Sequence, residues 1–110
     1  MTPDQARKIA LSMAEAEEKS HHGTADYRVN NKIFATLPGE GIMVLKLPRE
    51  EQLALNDARP EVFQIKGWAK QGWTHVVLAK IKKDQLAPLI YMAWANVAPK
   101  KLVEEQAGDA

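Results

Sequence analysis

The sequence predicts an α+β domain: a single antiparallel sheet of about five strands with helices packed on one face. Three observations predict it. Apolar residues recur at helical spacing near both ends of the chain, while short apolar or alternating runs fill the middle. The turns between those runs are brief, and a parallel crossover would need about a dozen residues. At 110 residues the chain fits one domain over 1–110, with a polar tail after residue 105.

The elements follow in order. Thr2-Pro3-Asp4-Gln5 reads as a helix start, with Thr2 as cap, Pro3 at the first helical position and Gln5 completing a capping box. Ala6, Ile9, Ala10 and Met13 give the helix one modest apolar stripe, which fades by Glu18 before His21-His22-Gly23. Tyr27-Arg28-Val29 and Lys32 to Leu37 read as strands around Asn30-Asn31, residues that tolerate left-handed backbone. A turn at Pro38-Gly39-Glu40-Gly41 leads into a strand from Ile42 to Leu47. There Met43, Leu45 and Leu47 face the core, while Val44 and Lys46 face outward.

Pro48 to Leu55 predicts a short helix, ended by Asn56-Asp57-Ala58-Arg59-Pro60. Val62 to Ile65 is a fourth strand and Trp73 to Ile81 a long fifth one, apolar on both faces at Val76-Val77-Leu78-Ala79. Asp84 is the expected cap of the last helix, whose inward stripe is Leu86, Leu89, Ile90, Ala93 and Val97. Trp73 and Trp94 are read as packing residues. Ala98-Pro99 ends the helix, and a turn is expected over Lys100 to Glu105.

This order resembles the MmcQ/YjbR-like family. The resemblance runs from Ala6 to Leu102. It rests on Tyr27-Arg28-Val29-Asn30-Asn31-Lys32-Ile33-Phe34-Ala35, Val44-Leu45-Lys46, Gly72-Trp73, Ala93-Trp94 and Ala98-Pro99-Lys100-Lys101-Leu102. It implies a double-wing or frataxin-like α+β fold and a DNA-binding label that derives from the fold. Gln64-Ile65-Lys66-Gly67-Trp68 departs from the proline-and-histidine-containing sequence the family carries before its tryptophan.

Composition excludes several classes of chemistry. With no cysteine, disulfides, thiolate metal sites and cysteine nucleophiles are ruled out. A hydrophobic share of 45% with 26% charged residues fits a folded domain and argues against extensive disorder. No apolar run approaches the roughly 20 residues that span a bilayer, so the expectation is a cytoplasmic protein without a membrane partner. His21 and His22 are neighbours that a strand would point to opposite faces, which disfavours a shared metal. His75 and Asp26 complete no recognisable triad, and Gly39-Glu40-Gly41 lacks the pattern of a phosphate loop. No catalytic, cofactor-binding or metal-binding residues are assigned.

The functional signal is basic and aromatic. Formal net charge is only +1, so attraction to nucleic acid must come from charge distribution. Arg59, Lys66, Lys70, Lys80, Lys82 and Lys83 face a single acid, Glu61, around the pair Gly67-Trp68 and Gly72-Trp73. The leading expectation is nonspecific DNA binding through phosphate contacts from Arg28, Lys32, Lys46, Lys66, Lys70 and Lys80, with Trp68 touching a base or sugar. The alternative is a protein-interaction or chaperone-like module, able to bind itself as a homodimer through Ile33, Val44, Val76 and Leu78.

Overall fold

Three consecutive two-residue turns fold the first half of the chain into a meander. In the computed structural model, which describes residues 1–66 and 71–108, they join β1 (Glu17–His21), β2 (Thr24–Val29), β3 (Lys32–Gly39) and β4 (Ile42–Lys46). The turn residues are His22-Gly23, Asn30-Asn31 and Glu40-Gly41, and all six have positive φ, between 51° and 78°. That conformation gives a hairpin loop whose twist matches the right-handed twist of the strands it joins.

The chain then forms α2 (Arg49–Ala58), β5 (Phe63–Gln64) and β6 (Trp73–Val77). The sheet order is β1-β2-β3-β4-β6-β5, with every neighbouring pair antiparallel. β6 therefore lies inside the sheet, between β4 and the short edge strand β5. α1 (Pro3–Leu11) and α3 (Lys83–Val97) pack on one face of it, and α4 (Lys100–Gly108) follows.

One core fills the space between sheet and helices. α1 supplies Ala6, Ile9 and Ala10, and α3 supplies Leu86, Ile90, Ala93 and Trp94. They meet Tyr27, Val29, Ala35, Met43, Leu45 and Val76 from the strands. Each large apolar side chain buried there stabilises the fold by about 1.5–3 kcal/mol. A register shift beside Tyr27 and Arg28 brings Phe34 into the same layer as Ala35. Trp94 buries its indole while donating Nε1–H to the Ala14 carbonyl at 2.9 Å, which ties the last long helix to the segment after α1.

The start of α1 matches its sequence: Thr2 Oγ1 accepts from the Gln5 amide, and Gln5 Oε1 accepts from the Thr2 amide. Elsewhere the structure differs from the sequence reading. The sheet has six strands rather than about five, because Glu17–His21 is the edge strand β1 and not the fading end of a helix. α1 stops at Leu11, and Glu15 sits at φ 56°. All five residues of β1 are exposed, so no buried face imposes an alternating pattern on its sequence.

β6 ends at Val77 and passes into a 3₁₀ turn over Leu78–Lys80, where a strand to Ile81 is expected. Lys82, not Asp84, occupies the N-cap of α3, and its amide donates to Gln85 Oε1. Residues 100–105 begin a helix instead of a turn. Leu102 and Val103 are the part of it that packs on the core, too few for a clear period.

A close backbone approach joins the end of β4 to the start of β6. Leu47 donates its amide to the Gly72 carbonyl at 2.9 Å, and Gly72 has φ 95°. A Cβ on Gly72 would overlap the Leu47 carbonyl oxygen. Gly23, by contrast, has φ 78° and open space where a Cβ would stand. Gly72→Ala is expected to destabilise the protein by roughly 3 kcal/mol or more, and Gly23→Ala by only about 1 kcal/mol. Urea denaturation of the two variants measures the difference; equal midpoints would refute the close-approach account.

Candidate nucleic-acid interface

The pairing register divides the sheet residues between two faces. Ala35, Leu45 and Thr74 share a transverse row on the helical side, and all are buried. The outer face, turned away from α1 and α3, carries the alternate residues. Its central row crosses all six strands as Lys19, Asp26, Thr36, Val44, His75 and Gln64. Beside that row, Glu17, Arg28 and Ile33 align on β1 to β3, and Lys46 pairs with Trp73.

The β1–β2 half of this face is neutralised internally. Asp26 is fully buried and accepts from Arg28 Nε at 2.7 Å and Nη2 at 3.0 Å. His21 Nδ1 lies 3.0 Å from Asp26 Oδ2, the oxygen that also accepts from Arg28 Nη2, and Lys19 lies 4.0 Å from Glu17. The Arg28 hydrogen bonds hold the Asp26 carboxyl below its usual range against the opposing effect of burial, and His21 lowers it further.

The β4–β6 half is different. Lys46 Nζ sits 5.5 Å from the centroid of the Trp73 ring, within cation–π range. Trp73 is partly exposed and does not belong to the core. Its backbone carbonyl accepts from Gln52 Nε2, whose Oε1 in turn accepts from Arg49 Nη1. This brings the exposed Arg49 to the same end of the sheet.

Next to Trp73 on the face, His75 is partly exposed, but its Nδ1 is buried without a hydrogen-bond partner among the described residues. Burial, and secondly the positive charge of Lys66, push the imidazole pKa down, so it is neutral at physiological pH. Among the described residues, neither Lys46 nor Lys66 lies within ion-pair distance of a carboxylate.

The residues singled out from sequence are therefore dispersed. Lys46 stands over Trp73, and Lys66 is near enough to His75 for its charge to act on the imidazole. Arg28 shares the outer face but is committed to Asp26. Lys32 pairs with the core residue Val29, which puts it on the helical side of the sheet. Lys80 lies beyond the opposite end of β6, and Trp73 to Val77 alone spans roughly 13 Å. Trp68 and Lys70 fall outside the described residues.

Trp73 is the residue that sequence reasoning placed wrongly, as a core-packing side chain. Alternation from the buried pair Val76 and Leu78 would have set it, with His75 and Val77, on the other face. Of the apolar residues proposed for protein contact, Val76 and Leu78 are fully buried and Val44 is 9% exposed, which leaves Ile33 partly accessible.

No group of three or more His, Asp or Glu side chains could hold a metal ion among the described residues. Within the same residues, no helix is long and apolar enough to cross a membrane.

The comparisons with known proteins agree with this architecture. The YjbR family model matches residues 11–96, from the end of α1 to the last turn of α3. The chain belongs to the YjbR family. A crystal structure of Deinococcus radiodurans protein DR2400, described as a DUF419 domain, is similar in fold with a TM-score of 0.76. Identity is 19%, over 87% of this chain and 78% of that one, so the likeness concerns the fold alone. A search of the curated proteins gives no match.

The Asp26 cluster of this YjbR-family domain has a pH signature. A carboxyl whose pKa falls on folding contributes stability that is present above its unfolded value, near 3.8. That contribution is lost as pH falls through the lower, folded value. Asp26→Asn is expected to lower the thermal midpoint at neutral pH and to flatten the acid limb below pH ~4. Thermal melts across that range test it; parallel acid limbs for variant and wild type would show that Asp26 contributes nothing.

Proposed function

We propose that this domain binds nucleic acid through the β4–β6 half of its outer face. One observation carries the reading: Lys46, without a carboxylate partner among the described residues, sits over a partly exposed tryptophan on the face turned away from the helices, and the exposed Lys66 acts on the neighbouring His75. Unpaired ammonium groups beside an accessible aromatic ring suit a phosphate chain with adjoining bases. Lys46 and Lys66 contact phosphate in this reading, and Arg49 adds a third positive group at the same end of the sheet. Trp68 and Lys70 belong to it by their place in the sequence, between Lys66 and Trp73.

The binding is electrostatic and largely independent of base sequence, because lysine–phosphate contacts carry no sequence information. Arg28 is a supporting residue that holds the β2 side of the face together through Asp26. Lys32 and Lys80 are peripheral. DNA and RNA are equal candidates at the level of phosphate contact.

Titration of labelled DNA at increasing salt tests the proposal. Affinity is expected to fall linearly with log salt concentration, and Lys46→Ala and Lys66→Ala are each expected to reduce the slope by about 0.7–0.9. Binding no tighter than about 10⁻³ M at low salt would overturn it.

A further inference from the structure

The surroundings of Trp73 restrict which form of nucleic acid can use it. Trp73 is the first residue of β6 and pairs with Lys46 of β4, while β5 pairs with β6 further along, at His75 and Val76. A duplex major groove, about 12 Å wide, admits a helix or a two-stranded ribbon, and the minor groove is about half that width. A side chain rising from the broad face of a sheet, with four further strands beside it on the β4 side, cannot be carried into either groove. A base that leaves its own stack can instead reach the sheet, as single strands do on β-sheet platforms.

We propose that the outer face selects unpaired bases, with one nucleobase stacking on the indole of Trp73. The inference rests on the nucleic-acid reading of the same face. It adds the class of ligand, single-stranded nucleic acid, and assigns the base-contacting role to Trp73.

Lys46 is part of the device. Its ammonium lies over the Trp73 ring, 5.5 Å from the centroid. An exposed cation–π contact is worth a few-fold in an equilibrium constant, whereas a base stacked on an aromatic ring is worth roughly five- to a hundredfold. An arriving base therefore displaces the ammonium, and the freed lysine is within reach of the phosphate attached to that base. Lys66, exposed two residues after the edge strand β5, holds a second phosphate on the side of β6 away from Lys46.

The floor beside Trp73 fits this use. His75 carries no charge at neutral pH, and Val44 and Thr36 continue the row without an ionised side chain until Asp26, which Arg28 neutralises. Bases can lie over this strip without burying an unpaired charge.

The test compares fluorescein-labelled oligothymidylate with a duplex of the same length at low salt. The single strand is expected to bind about tenfold tighter or more. Trp73→Leu is expected to lose about tenfold on the single strand and under about twofold on the duplex, while Trp73→Phe keeps most of the affinity. Lys46→Gln is expected to weaken both ligands.

Should Trp73→Leu fail to fold, ultraviolet crosslinking of wild-type protein to a 5-iodouracil-substituted oligonucleotide decides the matter. The crosslink is expected on the tryptic peptide that begins at Gln71, which cleavage after Lys70 separates from Trp68. Equal affinity for single strand and duplex, or a crosslink map that lacks Trp73, would overturn the base-stacking assignment and leave the phosphate-binding reading standing. Failure of both nucleic acids to bind would overturn both.

Discussion

The hydrogen bond from the Leu47 amide to the Gly72 carbonyl is the point on which the outer face depends. It fixes the end of β4 against the start of β6, after the chain has gone away through α2 and returned through β5. Only a residue without a Cβ allows the two backbones so close, and Gly72 at φ 95° also turns the chain into the strand. From that anchor the antiparallel register follows residue by residue. Lys46 comes beside Trp73, Val44 beside His75, and Met43 beside Val76. A slip of one residue would send Trp73 into the helical layer and Thr74 onto the outer face.

The two sides of the sheet have been given different work. The helical side carries the stability, through Trp94, Ile90 and Leu86 packed on Tyr27, Met43 and Leu45. The outer side is mostly polar and, apart from the buried Asp26 and Val44, partly accessible; it divides into a self-neutralised half around Asp26 and a half with unpaired lysines around Trp73. Burying a carboxylate as completely as Asp26 is costly unless hydrogen bonds compensate it, and Arg28 and His21 supply them. These contacts also pin the exposed edge strand β1 to β2. Its charged residues Glu17, Glu18 and Lys19 discourage pairing with another chain.

Much of the fold was legible in the sequence because the relevant signals were local. Asn30-Asn31 specified a left-handed two-residue turn, Thr2 and Gln5 a helix cap, and the period of Leu86, Ile90 and Ala93 an inward stripe. What escaped were elements without a buried face of their own. β1 is solvated on both sides, and α4 rests on two apolar residues. The candidate site was half legible. Lys46 and Lys66 were identified as cations, but Trp73 was assigned to the core because the Val76–Ala79 run looks apolar on both faces.

The sequence by itself determined the α+β class, the antiparallel pairing of strands joined by short connections, the inward stripes of the first and last long helices and the absence of cysteine chemistry. Tertiary structure alone decided which charges meet. Side-chain proximity across strands depends on register, and register between β4 and β6 is set by a backbone contact spanning residues 47 to 72. That contact separates the lysines at the Trp73 end from Lys80 at the other. The pairing of Arg28 with Asp26 is local instead: two residues apart on one strand, they share a face and a hydrogen-bonding distance.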